Sequence, residues 1–222
     1  MKKILLCLGL ILVFSVASLA MGHAPQKKAA YPFLVDNLED GNNNKDPEWF
    51  VFDGLILTIV KNSTLQTAAQ ASSTNVGEYS LKLSGSATNW YVGGMGTLPM
   101  IDASGYDALE LDVYGTGPDS GKLKIEFYDD DHNSKEIEVD KNWKPLYDDL
   151  FTAEIAVDWT GWKHVAIPLN TFKVEGNGNK AWDPTTKNGS SGLKKIQLIA
   201  LATSQTGSVD FNVDDLELTA TK

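Results

Sequence analysis

Cysteine is nearly absent: the chain of 222 residues holds one, Cys7, beside three histidines, His23, His132 and His164. A single cysteine excludes an internal disulfide, so stability must come from core packing or from a bound metal. Three scattered histidines give no H-E-x-x-H zinc pattern, and no serine sits in a G-x-S-x-G turn. Basic charge is also scarce. Against 29 Asp and Glu stand 19 Lys and Arg, a net charge of -10, which disfavours nucleic acid and anionic membrane as partners. Long helical periods are missing too. The one short candidate, Ser63 to Thr74, offers only alanines and one leucine as an apolar face.

What is present begins with an export signal. Lys2 and Lys3 precede an apolar stretch from Ile4 to Val16, and Ala17-Ser18-Leu19-Ala20 supplies small residues for cleavage. The stretch is short for a membrane span, so no membrane insertion is expected after cleavage. Removing residues 1–20 removes Cys7 and changes the net charge to -12. Residues 21–32 then form a flexible N-terminal segment, and 33–222 a single domain in the periplasm, at the cell surface or secreted.

Strand signals dominate that domain. "DALELDVYGTG" sets Leu109, Leu111 and Val113 against Glu110, Asp112 and Tyr114; "GKLKIEFYDDD" sets Leu123, Ile125 and Phe127 against Lys124, Glu126 and Tyr128. Period-two alternation means strands with one face in a core. Further strands are expected over 55–61, 79–84, 153–157, 163–168, 195–202 and 209–218, with Gly-, Asn-, Asp- and Ser-rich turns between them. Many short strands at regular spacing imply an all-β sandwich or jelly roll.

The pleat turns Tyr128 and Glu126 away from the core, as it does Asp112 and Tyr114 on the preceding strand and Gln197 on a later one. A short turn predicts that the first two strands are neighbours in one sheet. Together these residues would form an outward strip of aromatic and polar groups. Trp90 and Tyr91 join the candidates because Gly93 and Gly94 follow them, where bare backbone admits close approach. Aromatic faces stack on the C–H faces of sugars, and planar polar groups bind hydroxyls. Trp49 and Trp162 are expected to be structural. The acid run "DDDHN" at 129–133 is a rival calcium loop by composition, but it lacks an EF-hand's glycine and glutamate spacing and is read as a solvated hairpin turn.

Four stretches in order, "NLEDG", "GEYSLKLSGSATNWYVGG", "WTGWKHVAIPLNTF" and "VDFNVDDLEL", resemble the galactose-binding-like jelly rolls among carbohydrate-binding modules, the family-eleven type most of all. The likeness spans Leu34 to Thr219 and departs from the outline at Leu38 and around "KNWKPLYDDLF". It implies a non-catalytic domain with a polysaccharide or oligosaccharide partner. It also implies a structural calcium where the first and last strands meet, held by Glu39, Asp215 and the Lys82 carbonyl. The alternative is a surface or envelope protein that uses the same fold for protein contacts.

Overall fold

A computed structural model describes residues 28–65 and 76–220. The expected signal peptide and most of the short helix candidate lie outside the described residues. Twelve strands follow in chain order: β1 (Phe33–Asp36), β2 (Phe50–Asp53), β3 (Ile56–Lys61), β4 (Tyr79–Ser86), β5 (Tyr91–Thr97) and β6 (Ala108–Thr116) make up the first half. The second half holds β7 (Gly121–Asp129), β8 (Asp149–Val157), β9 (Thr160–Pro168), β10 (Lys173–Gly176), β11 (Leu193–Leu201) and β12 (Ser208–Thr219).

They form two antiparallel six-stranded sheets. The first runs β3-β4-β12-β6-β9, with β1 added to β12; the second runs β10-β8-β7-β11-β5-β2. The alternating apolar residues fill the space between them. Leu81, Leu83, Leu109, Leu111 and Phe211 enter from the first sheet, and Ile125, Phe127, Met95, Ile196 and Leu198 from the second, all at most 1% exposed. Truncating one such residue costs about 2–5 kcal/mol, so this layer alone outweighs any surface contact described below.

One expectation about topology fails. β6 and β7 are consecutive but belong to different sheets, because the turn at 117–120 carries the chain across the sandwich. The Ser120 hydroxyl accepts hydrogen bonds from the amides of Thr116 (2.7 Å) and Gly117 (2.9 Å), which fixes this arch. Gly121 leaves it at φ +123, and a Cβ there would lie 2.8 Å from the Val209 side chain. Only glycine lets the chain pass so close to the opposite sheet.

Candidate functional site

The outer face of the second sheet gathers most of the expected residues. Register places Gln197 beside Glu126 on one side and Gly96 on the other, with Phe50 beyond. The adjacent rows carry Tyr128 beside Lys195, and Lys124 beside Ile199, Gly94 and Phe52. Alternate residues share a face, so Phe50 and Phe52 flank two outward glycines. A Cβ on Gly96 would meet the Phe50 ring at 2.4 Å, and one on Gly94 the Phe52 ring at 2.4 Å. The bare backbone of β5 therefore lets both rings lie across it. Their centroids are 6.2 Å apart at an interplanar angle of 29°.

Beside this aromatic floor lies a polar fence. Lys124 Nζ donates to Glu126 Oε1 at 2.7 Å, and the Tyr128 hydroxyl donates to Glu126 Oε2 at 3.1 Å. Tyr91 closes the other side, its hydroxyl donating to Asp53 at 2.5 Å. Burial, then the neighbouring carboxylate, pushes both phenols up, so they stay neutral donors at physiological pH. Among the described residues nothing hydrogen-bonds the Gln197 side-chain amide, which leaves it open to an incoming hydroxyl.

Tyr128 points outward as the alternation requires, yet it is not a free stacking platform. It is only 4% exposed, and Lys195 Nζ stands 3.7 Å from its ring centroid. The cation covers the ring face that a sugar would need. Phe50 is the more open ring, and it was missed because "FVFD" is a four-residue strand with little pattern of its own. The glycines at 94 and 96, two apart, were the available signal. Trp90 stands half exposed just before β5, with its amide donating to the Gln205 carbonyl at 3.0 Å.

Asp112 and Tyr114 are a correction. They lie on the first sheet, because β6 does, and cannot share a strip with Tyr128 and Glu126. Asp112 is buried beneath the half-exposed His164, whose Nδ1 is 3.1 Å away, and Nε2 of the same ring is 3.1 Å from Glu110. Tyr114 meets Trp162 edge-on at 5.4 Å and donates to the Leu65 carbonyl at 2.9 Å. Trp49 is buried as expected, its indole donating to Asp36 at 2.7 Å.

The expected calcium ligands come together only in part. β12 bulges after Asp214, where Asp215 takes φ 46, and beyond it Leu216 pairs with Asp36 of β1. Burial, then the charge of Asp215, pushes Asp214 up to about 8, with Glu39 adding to it. Glu39 itself accepts the Tyr79 amide at 3.1 Å. Glu39 and Asp215 are thus near enough to feel each other's charge, but with Asp214 they do not form one of the tight acid groups found among the described residues, and both Asp214 oxygens already accept hydrogen bonds, from the Asn62 side chain and the Asp215 amide. Lys82 does not join them. It sits in the middle of β4, inside the ladder of the first sheet between Thr58 and Asn212, and its side chain pairs with Asp210 at 2.9 Å. A second correction concerns the start of the run 129–133: the solvated reading fails at Asp129 and Asp130, while His132 and Asn133 are exposed. Asp129 and Asp130 are 1% and 3% exposed.

A two-sheet sandwich with rings laid over a bare strand beside a carboxylate and an amide is the build of a carbohydrate-binding domain. The chain belongs to the family described as Carbohydrate binding domain 30, whose model matches residues 41–220. No curated relative matches it. Among solved structures it is similar to the family 11 carbohydrate-binding module of Clostridium thermocellum in complex with a β-1,3-1,4-mixed-linked tetrasaccharide, at TM-score 0.52 and 16% identity, over 86% of this chain and 96% of that one. It is likewise similar to the family 11 module of a cellulosomal cellulase of the same organism, at TM-score 0.50 and 18% identity, over 87% and 97%. At such identities the likeness to family 11 is one of fold.

Proposed function

We propose that the chain is an exported, non-catalytic protein that holds an extracellular or cell-wall glycan on the outer face of the second sheet. The observation that carries this reading is the pair of rings, Phe50 and Phe52, lying over Gly96 and Gly94 beside Gln197 and Glu126. The rings take the C–H face of a sugar, Gln197 reads its hydroxyls, and Tyr91 and Lys195 border the run. Both Glu126 oxygens already accept hydrogen bonds, from Lys124 and Tyr128, so the carboxylate positions groups rather than shuttling protons. Export rests on Lys2, Lys3 and the apolar run to Val16. A structural calcium at Glu39 and Asp215, as the resemblance implies, would tie the bulge of β12 to the loop after β1.

The test is titration calorimetry with soluble mixed-linked β-glucan and xyloglucan. Mixed-linked glucan comes first because the solved family 11 complex holds such an oligosaccharide. Phe50→Ala is expected to weaken binding by about 1–3 kcal/mol, as at other aromatic anchors, while the melting temperature holds. Wild-type protein that binds no glycan on an array would overturn the reading. The alternative, a protein-contact role, draws on the loop between β7 and β8, where Trp143 is 78% and Tyr147 54% exposed. That role predicts glycan binding unchanged in Phe50→Ala and a protein partner lost in Trp143→Ala.

A further inference from the structure

The inward rows of β7 and β8 do not end on apolar residues. After Leu123, Ile125 and Phe127 the next inward position of β7 is Asp129, and directly opposite it β8 begins with Asp149. The two are 1% and 0% exposed. Like charges facing each other across a ladder destabilise a sheet, and here the pair is shut away from water.

The loop between β10 and β11 adds more carboxylate instead of relief. Trp182 packs against Phe127 and Phe151, with centroids at 5.8 and 5.2 Å, and so carries Asp183 onto the pair. Carboxylate oxygens of Asp129, Asp131 and Asp183 lie within 4.8 Å of one another. Asp149 is aimed at the same place. A Cβ on Gly178 would sit 2.8 Å from the carboxyl carbons of both Asp131 and Asp149. Asp149 Oδ1 is fully buried with no hydrogen-bond partner.

Existing donors do not balance this charge. The Asp183 amide reaches Asp129 and the Asn179 amide reaches Asp131 only at 3.4 Å each. The Lys180 amide takes the other oxygen of Asp149, while its half-exposed ammonium stays 3.8 Å from Oδ1. One partial cation faces four carboxylates. The neighbouring acids differ. Asp130 accepts the amides of Asn133 and Ser191 at 3.0 and 2.7 Å, and Asp148 Oδ1 accepts the Asp131 amide at 3.0 Å. Asp130 is a strut that holds the loop, and Asp148 is one through Oδ1, although its Oδ2 is buried without a partner; of the other four, Asp183 accepts the Asn179 side-chain amide at 3.0 Å and Asp149 the Lys180 amide, while Asp129 and Asp131 have only the long contacts above. Burial, then the neighbouring acids, pushes Asp129 up to about 9 and Asp131 up to about 7.

We propose that Asp129, Asp131, Asp149 and Asp183 bind a hard divalent cation of the calcium type, which clamps the loop between β10 and β11 onto the end of the second sheet. The donor set is all oxygen, which disfavours zinc and other thiolate- or imidazole-seeking metals. It comes from three separate segments, which suits the variable geometry of calcium better than the strict octahedron of magnesium. The site shares no residue with Glu39, Asp214 and Asp215, and it stands whether or not the sheet face binds sugar.

The experiment uses the full chain, metal-free and with calcium chloride, and reads both melting temperature and calcium binding by calorimetry. Asp129→Asn and Asp183→Asn keep the side-chain size and remove charge. In chelator each is expected to melt at or above wild type, because repulsion is relieved. In calcium each should melt below wild type and bind the ion at this site at least about tenfold more weakly. Asp215→Asn should leave this site's binding intact. Wild-type calcium affinity and stoichiometry in both Asp129→Asn and Asp183→Asn would overturn the proposal. So would a wild-type melt that calcium does not move, or calcium binding that Asp215→Asn alone abolishes.

Discussion

The two outer faces of the sandwich carry similar residue types and do different things with them. On the first sheet the polar groups around His164 and Tyr114 are turned toward neighbours: His164 bridges Asp112 and Glu110, and Tyr114 leans on Trp162 and bonds to Leu65. On the second, Phe50 and Phe52 lie side by side over a strand without side chains, and Gln197 has an amide to spare. Composition does not separate an open face from a closed one. Whether the aromatic rings and amides already have partners does.

The largest effect expected from breaking this contrast comes from beneath the open face. Phe127 stacks on Phe172 at 5.3 Å and supports Trp182, so Phe127→Ala should cost about 3–5 kcal/mol in chemical denaturation. Next comes the floor itself. Gly96→Val would drive a methyl into the Phe50 ring, and binding should fall by at least about tenfold while the core melts near wild type. Tyr128→Ala removes the ring under Lys195 and should weaken binding less than Phe50→Ala does, since its own face is covered.

The smallest effect belongs to the closed face and depends on pH. Burial lowers the pKa of His164, but hydrogen bonds to Asp112 and Glu110 outweigh it and hold the ring above the usual value. A raised folded pKa means stability that is complete below the unfolded value, about 6.5, and lost as pH rises through the folded one. The imidazole is half exposed, so solvent screening limits the gain to about 1 kcal/mol or less. Melts of wild type and His164→Gln should therefore converge as pH rises from about 6 to about 8, and a gap that stays constant would contradict this sign.

Much of the architecture was legible because alternation is a local signal. β6, β7, β9 and β12 each follow from inward leucine, isoleucine, valine or phenylalanine at every second place. β5 was not, because "YVGGMGT" replaces its outward side chains with glycine and leaves half a pattern. Sheet membership was not legible either: a four-residue turn fits a hairpin and an arch equally well, and only the packing of Gly121 against Val209 decides. The same limit explains Asp112 and Tyr114, whose outward direction was right and whose sheet was not. For Asp129 and Asp130, burial comes with the loop after β10, whose Asp183 and Ser191 amides reach them from more than fifty residues along the chain, and nothing local announces it.

The claim that the open face binds sugar rests most directly on one paired titration. Mixed-linked β-glucan is titrated into Phe50→Ala and into Tyr114→Phe under identical conditions, with wild type as reference. The account predicts that Phe50→Ala loses about 1–3 kcal/mol of binding free energy and that Tyr114→Phe binds as wild type does. Wild-type binding by Phe50→Ala, with binding lost in Tyr114→Phe, would place the ligand on the first sheet and contradict it.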